Sequence, residues 1–196
     1  KGIKKVFYSI NDFDPRSRNK SHKILLKKRI PTFKFLHKNI GLKFYDSYYR
    51  LRKNKLPIIY AKIALSKDYY TNNKKNKWIT NERSRKLTHL LRTKYNALLS
   101  TSKSINKDNS LLNCRITGLT NKSPDLIILD RNLVIKKNLN IFKIKLKRKI
   151  YICTAKNNKK KINWLKKKNI KVILMKDIYS KRDFIKLFKS LNYYKF

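Results

Sequence analysis

Residues 150–175 read IYICTAKNNKKKINWLKKKNIKVILM, and this segment decides the fold. Two apolar runs, at residues 150–154 and 171–175, flank a Lys-rich stretch that predicts a helix at residues 159–168. A strand, a helix and a second strand in this order are typical of a βαβ unit, whose two strands are parallel. The segment therefore predicts an α/β fold with a mostly parallel sheet.

The same alternation continues upstream and downstream of this segment. Further strands are predicted at residues 58–65 (IIYAKIAL), 95–99 and 126–130, and further helices at residues 81–94 and 182–191. Leu87, Leu90 and Leu91 recur at helical spacing, which predicts that this stripe faces the core. The Lys-rich runs at residues 143–149 and 156–161 are predicted to be solvated loops.

The first fifty residues have a pattern of their own. A short buried strand is predicted at residues 2–10, and Asp, Asn, Pro and Ser give residues 11–19 the composition of a turn. A helix at 21–29, a strand at 31–36 and a helix at 40–52 follow. Residues 53–55 form a charged hinge ending at Pro57, which we interpret as a domain boundary.

The chain is strongly basic, with 53 Lys+Arg against 10 Asp+Glu and a formal net charge of +43. A nucleic-acid partner is one explanation, since basic chains bind polyanions through counterion release. A+T-rich codon usage is the other and the favoured one, because it adds Lys, Asn, Ile and Tyr and removes Gly and Ala. Lys outnumbers Arg by 41 to 12, whereas phosphate recognition favours Arg.

Cysteine and histidine usage excludes a metal centre in this part of the chain. Cys114 and Cys153 are far apart, and neither they nor the three His residues have the spacing of metal ligands. Buried free thiols in a reducing compartment are expected, which predicts a cytoplasmic protein, with an organelle of an A+T-rich genome as the alternative. No apolar run suits a membrane span or a signal peptide. The first residue is Lys, so we expect that the natural start lies upstream.

Five short motifs occur in order at fitting spacing. They are KIALSKD at residues 62–68, NKWIT at 76–80, LLR at 90–92, DNSLLNCR at 108–115 and IILD at 127–130. The series resembles the reductase domain of the bifunctional riboflavin-biosynthesis deaminase/reductase family. The resemblance implies an α/β fold like that of dihydrofolate reductase, of which residues 54–196 would be the N-terminal part. It also implies hydride transfer from NADPH to the ribose of 5-amino-6-(5-phosphoribosylamino)uracil, a phosphorylated aminopyrimidine, giving a ribityl chain.

The resemblance also assigns roles to individual residues. The residues at family substrate-binding positions are Asn76, Arg92, Leu112 and Arg115, and the two arginines suit a phosphate because they donate in a fork. The residues at family NADP-contacting positions are Ala64, Trp78, Ser104, Asp108 and Arg131. Lys62 and Asp68 match the family's catalytic positions, with Lys62 placed to polarise the carbon that accepts the hydride. The family also implies a homodimer and no membrane partner.

Residues 1–53 resemble the end of the family's zinc deaminase domain, which is cytidine-deaminase-like. Its zinc motifs, H-x-E and P-C-x-x-C, would lie before residue 1, so zinc is expected only upstream. Likewise, the reductase's later E-x-G-G segment would lie after Phe196.

Several family glycines are replaced in this chain. Tyr69 stands where the family has Gly and Lys67 where it has Leu, while Lys103 lies in a stretch that is Gly-rich in the family. Tyr and Lys tolerate positive φ and close ligand approach poorly, so impaired catalysis is expected. Two alternatives therefore stand beside the enzyme: a basic RNA-binding or ribosome-associated protein, and a decayed, inactive homologue.

Overall fold

The computed structural model describes residues 2–71, 78–144 and 147–193. The chain divides into two compact units, one formed by Lys1–Tyr60 with Phe188–Lys195 and the other by Ala61–Leu187 with Phe196. The assignment of residues 1–53 to a deaminase remnant and of 54–196 to a reductase domain stays a prediction.

The first unit contains two short parallel strands and two helices. Its elements are β1 (Val6–Tyr8), α1 (Lys20–Lys27), β2 (Thr32–Lys34) and α2 (Lys38–Asn54). Phe7 of β1 pairs with Phe33 of β2, and their rings stack with centroids 4.9 Å apart on an exposed surface. The strand was therefore predicted correctly, but its predicted burial is wrong. α2 continues to Asn54, so the charged hinge predicted at residues 53–55 is partly helical.

Two local features fix the course of this unit. Asp14 is buried and accepts hydrogen bonds from Arg16, from Tyr48 Oη at 3.3 Å and from Arg52. The hydrogen bonds from Arg16 hold the pKa of this carboxyl well below its ordinary value. Gly41 lets α2 approach β1 closely, because a Cβ at that position would lie 2.1 Å from Ser9 Oγ.

The second unit is built on a four-stranded parallel sheet. Its elements in chain order are α3 (Glu82–Thr93), β3 (Ala97–Thr101), α4 (Ser102–Asp108), β4 (Asp125–Leu129), α5 (Asn140–Lys143), β5 (Ile150–Thr154), α6 (Lys159–Lys167) and β6 (Lys171–Leu174), with α7 (Lys181–Tyr193) beginning in this unit. The strand order is β3-β4-β5-β6, so consecutive strands are neighbours. Thr101 pairs with Leu129, and Leu129 pairs with Cys153, so the carboxyl ends of these strands meet at one edge.

The core lies around β4 and β5, which are buried on both faces, as expected for central strands of a parallel sheet. Ile152 and Leu165 are fully buried, and α6 adds Trp164, whose ring meets Phe142 edge-on at 5.3 Å. The strand–helix–strand unit at residues 150–175 is thus confirmed. Cys114 and Cys153 are buried free thiols, as predicted.

Three expectations about the second unit are wrong. Residues 58–65 contain no strand, and their apolar side chains are exposed, Ile63 by 67%. None of the described strands pairs with this segment, and apolar character alone does not hold an extended chain in a sheet. Leu87 and Leu90 are 57% and 41% exposed, so the Leu stripe of α3 is not core. Residues 159–161 begin α6 rather than extending a loop.

Candidate functional site

Four basic side chains of the second unit lie together, and we call them the basic cluster: His89, Arg92, Arg115 and Arg148. α3 carries His89 and Arg92 three residues apart, which places both on one helix face. The helix begins at a defined residue because the Asn81 side chain accepts a hydrogen bond of 2.9 Å from the Ser84 N–H. The segment between α4 and β4 supplies Arg115, and the segment before β5 supplies Arg148.

Hydrogen bonds join three members of the basic cluster. Arg92 Nη1 donates to the Asn113 carbonyl at 2.7 Å and lies 3.3 Å from His89 Nδ1. The Arg115 N–H donates to His89 Nδ1 at 3.2 Å, and Arg115 Nη2 lies 3.3 Å from His89 Nε2. Arg92 and Arg115 are both predicted substrate ligands, and the structure brings these two side chains together around His89.

Arg148 anchors the backbone of the same segment. Its Nη1 donates to the Leu112 carbonyl at 3.0 Å and to the Pro124 carbonyl at 3.3 Å, while Nη2 donates to the Leu111 carbonyl. Leu112 has a φ of 53°, a left-handed conformation that a branched side chain adopts only when its surroundings hold it there. Arg148 thereby fixes the segment that carries Leu112 and Arg115.

The electrostatics of the basic cluster are those of an anion site. Burial and the charge of Arg115 lower the pKa of Arg92, and burial and the charge of Arg92 lower the pKa of Arg148 to about 10. In the described part of the chain, no carboxylate forms an ion pair with any of the cluster's arginines. Half-buried cations that repel one another are stabilised by a bound anion, and guanidinium groups suit a phosphate.

A second group of polar side chains lies at the carboxyl edge of the sheet. Asp130, which follows β4 and is only 1% exposed, accepts hydrogen bonds of 2.8 Å from Ser102 Oγ, the Val134 N–H and the Ile135 N–H. Asp130 is therefore a structural anchor that fixes the loop after β4 to the start of α4. Open α/β sheets bind nucleotides at this edge.

The residues predicted to contact NADP at this edge are exposed. The Ser104 N–H donates to Thr101 Oγ1 at 3.2 Å, and the two hydroxyl oxygens lie 3.1 Å apart. Arg131 donates to Asp177 through Nε at 2.6 Å and through Nη2 at 3.0 Å, and it lies over the Tyr179 ring at 5.5 Å. Hydrogen bonds with Asp177 raise the pKa of Arg131, so its guanidinium remains charged. Asp108 is the last residue of α4 and is exposed.

The remaining predicted residues are not gathered into one site by the described contacts. Lys62, Ala64 and Asp68 lie in the irregular segment at residues 61–71, where Lys62 and Asp68 are exposed. Trp78 is 53% exposed, with the Arg85 guanidinium 4.8 Å from its ring centroid. Asn76 lies outside the described residues. In the described segments, no group of His, Cys, Asp and Glu is arranged to hold a metal, and none of the helices could cross a membrane.

Sequence reasoning missed two members of the basic cluster. His89 lies one helical turn before Arg92, and this spacing was the available signal. Arg148 is the one arginine in the Lys-rich run at residues 143–149, which we had interpreted as a solvated loop. The available signal was a single arginine among lysines, since Arg suits a position that needs two forked hydrogen-bond donors.

A family model and a curated protein that resemble this chain both belong to RibD. The model of the RibD C-terminal domain family matches residues 57–192. The riboflavin biosynthesis protein RibD of Aquifex aeolicus is 33% identical over 116 residues, which are 59% of this chain and 32% of that protein.

Two solved structures have a similar fold. One is the diaminohydroxyphosphoribosylaminopyrimidine deaminase/5-amino-6-(5-phosphoribosylamino)uracil reductase of Thermotoga maritima, with a TM-score of 0.75 and 22% identity over 98% of this chain and 52% of that one. The other is RibD of Acinetobacter baumannii, with a TM-score of 0.72 and 18% identity over the same shares. The chain thus spans about half the length of these structures and about a third of the curated relative.

Proposed function

Since the chain belongs to the RibD C-terminal domain family, we propose that it carries part of the reductase step of riboflavin biosynthesis. In that step, NADPH reduces the ribose of 5-amino-6-(5-phosphoribosylamino)uracil to the ribityl form. The observation that carries the proposal is the basic cluster, because Arg92 and Arg115 lie together there without a carboxylate partner among the described residues, and a substrate phosphate is an anion of the kind that guanidinium groups bind. The family is one of riboflavin-biosynthesis enzymes, and the chain is a partial RibD-like reductase domain.

Arg92 and Arg115 bind the substrate phosphate in this proposal. Each guanidinium donates to phosphoryl oxygens, and binding energy from this remote group orients the ribose for reaction. Leu112 contributes an apolar contact from the segment that Arg148 fixes. Lys62 polarises the carbon that accepts the hydride, and Asp68 is the second catalytic residue. Asn76 completes the substrate contacts.

The carboxyl edge of the sheet provides donors of the kind that a nicotinamide dinucleotide phosphate needs. Ser104 contributes a hydroxyl, and Arg131 contributes a charged guanidinium on the exposed edge. Trp78 is about half exposed, with the Arg85 guanidinium against its ring, and Ala64 and Asp108 complete the set. When bound, NADPH supplies the hydride. The protein's part is to hold the dinucleotide beside the ribose.

Tryptophan fluorescence tests this proposal, because the chain has two tryptophans in different surroundings. Trp78 is exposed, whereas Trp164 packs against Phe142 in the core. We expect NADPH to quench the fluorescence saturably in the unaltered chain and in Trp164→Phe, but not in Trp78→Phe. Arg131→Ala should weaken the same titration. Quenching that is linear in NADPH concentration, or equal in both Trp variants, would contradict the proposed cofactor site.

A further inference from the structure

His89 lies between the two arginines that the proposed function assigns to the substrate phosphate, and no role has yet been given to it. Its ring is half-buried and is shared by both arginines through hydrogen-bond contacts. The inference below concerns this ring, and it rests on the proposed phosphate site.

The contacts of Nδ1 decide which ring nitrogen carries the hydrogen. The Arg115 N–H lies 3.2 Å from Nδ1 and Arg92 Nη1 lies 3.3 Å from it, and both groups are donors. The Asn113 carbonyl, 3.2 Å from Nδ1, already accepts from Arg92 at 2.7 Å. Two donors against one acceptor at Nδ1 favour the tautomer in which Nδ1 accepts and the hydrogen of the neutral ring lies on Nε2.

The Nε2–H then faces another donor. Nε2 lies 3.3 Å from Arg115 Nη2, and two N–H groups at this distance cannot bond to each other. An oxygen acceptor that both groups reach from one side, at about 2.9 Å from each nitrogen, satisfies both donors. A phosphoryl oxygen is such an acceptor, and its charge also compensates the guanidinium.

We propose that His89 is a third ligand of the substrate phosphate, donating from Nε2 to an oxygen shared with Arg115, and that the ring takes up a proton when a dianion binds. In this step one proton moves from solvent to Nδ1 of His89, and no covalent bond to the ligand forms or breaks. The protonated ring then donates from Nδ1 to the second lone pair of the Asn113 carbonyl, Arg92 Nη1 keeps its own hydrogen bond to that carbonyl, and the Arg115 N–H gives up Nδ1 as its acceptor.

The charged neighbours of His89 support this coupling. Burial lowers the pKa of His89, and the charges of Arg92 and Arg115 lower it further, so these neighbours favour the neutral ring. From the other elements packed here, Arg148 and Cys114 lie close to Arg92, and Asp125 lies close to Arg148. A bound dianion opposes both arginine charges and raises the pKa of the ring, so affinity increases as pH falls.

Sulfate is the probe of choice, because it stays a dianion between about pH 5.5 and pH 8, the range in which histidine titrates. We expect the full chain to bind sulfate several-fold more tightly at pH 5.5 than at pH 8, because a rise of about one unit in the pKa of His89 on binding sets an upper limit of about tenfold, which is reached only well below the free pKa. His89→Gln keeps an amide N–H donor and cannot titrate, so its affinity should be independent of pH. His22→Gln, which alters a histidine hydrogen-bonded to Thr32 in the other unit, should behave like the unaltered chain.

The ring itself can be followed by imidazole NMR in the unaltered chain, so the test does not depend on the folding of a variant. Sulfate should raise the pKa of one of the three histidines, and that signal should be missing in His89→Gln. Sulfate binding that Arg115→Ala abolishes, but that is independent of pH and leaves all three histidines unshifted, overturns the role of His89 alone. Sulfate binding that Arg115→Ala leaves unchanged overturns the proposed phosphate site as well.

Discussion

Replacement of Asp130 by Asn should destabilise the second unit strongly, although the two side chains have almost the same shape. Oδ1 of Asp130 accepts from Ser102 Oγ and the Val134 N–H, and Oδ2 accepts from the Ile135 N–H, each at 2.8 Å. The amide of Asn keeps one oxygen, which preserves two of these bonds in neutral form. Its NH₂ group then faces the remaining donor in a site that is only 1% exposed.

The magnitude follows from the bonds that change. Loss of one charge-assisted hydrogen bond costs about 2 kcal/mol, and weakening of the other two costs roughly 0.5 kcal/mol each, so the unfolding free energy should fall by about 3 kcal/mol. For a chain of this size, that lowers the melting temperature by about 9 °C.

Thermal unfolding followed by circular dichroism measures the effect, with urea unfolding as a second estimate. Asp125→Asn is the matched control. The Asp125 carboxylate accepts a hydrogen bond of 2.8 Å from the backbone N–H of Lys149, and the amide oxygen of Asn can accept the same bond. We expect the control to change stability by less than about 1 kcal/mol. Equal stability of the two variants would refute the role of Asp130 as the anchor of the loop after β4.

Two further predictions concern stability. Burial raises the pKa of the Cys153 thiol to about 12, so the unfolded state releases its proton first as pH rises. The unfolding free energy should therefore fall by about 1.4 kcal/mol per pH unit above roughly pH 9, and urea titrations of Cys153→Ala should lack this dependence. Tyr69 has a φ of 65° and is 82% exposed, so its left-handed backbone is strained while its side chain packs little. Tyr69→Asn should stabilise the chain by about 1 kcal/mol in urea unfolding, and a loss of stability would show that the Tyr ring contributes more than the strain costs.

Sequence patterning was sufficient for the parallel sheet. Ile150–Thr154 is β5 as predicted, and β6, α6 and α7 differ from their predicted bounds by one or two residues. These elements bury apolar side chains at the period of their own secondary structure, so local pattern and tertiary packing agree. Asn19 illustrates the same agreement, because its φ of 61° is a left-handed conformation that Asn adopts more readily than most other non-glycine residues.

Predictions from the local sequence pattern were wrong where the structure of a segment depends on contacts with residues outside it. Residues 58–65 have the apolar composition of a strand, yet a strand forms only when another strand accepts its hydrogen bonds. α4 was missed for a different reason. Its sequence, SKSINKD, is mostly polar, and its first turn is held by the Thr101 side chain rather than by an apolar stripe.

Part of the candidate site could be predicted from motifs, because Arg92 and Arg115 belong to recognisable local sequences. Arg148 could not, since its role depends on carbonyl groups of residues 111, 112 and 124, more than twenty positions away. His89 was visible only through its spacing from Arg92. The net charge of +43 does not point to the basic cluster, because most of the charge comes from lysines, whereas the cluster contains none.

Calorimetric titration with ribose 5-phosphate tests most directly whether the basic cluster holds the phosphate of the substrate. We expect saturable binding with one site per chain, weakened about tenfold to a hundredfold in Arg115→Ala, because hydrogen bonds to charged groups contribute roughly 1.5–3 kcal/mol. Arg182→Ala, which removes an exposed arginine of α7, is the control for net charge and should bind like the unaltered chain. Equal affinities of the Arg115→Ala and Arg182→Ala variants would contradict the assignment of this cluster to the substrate phosphate.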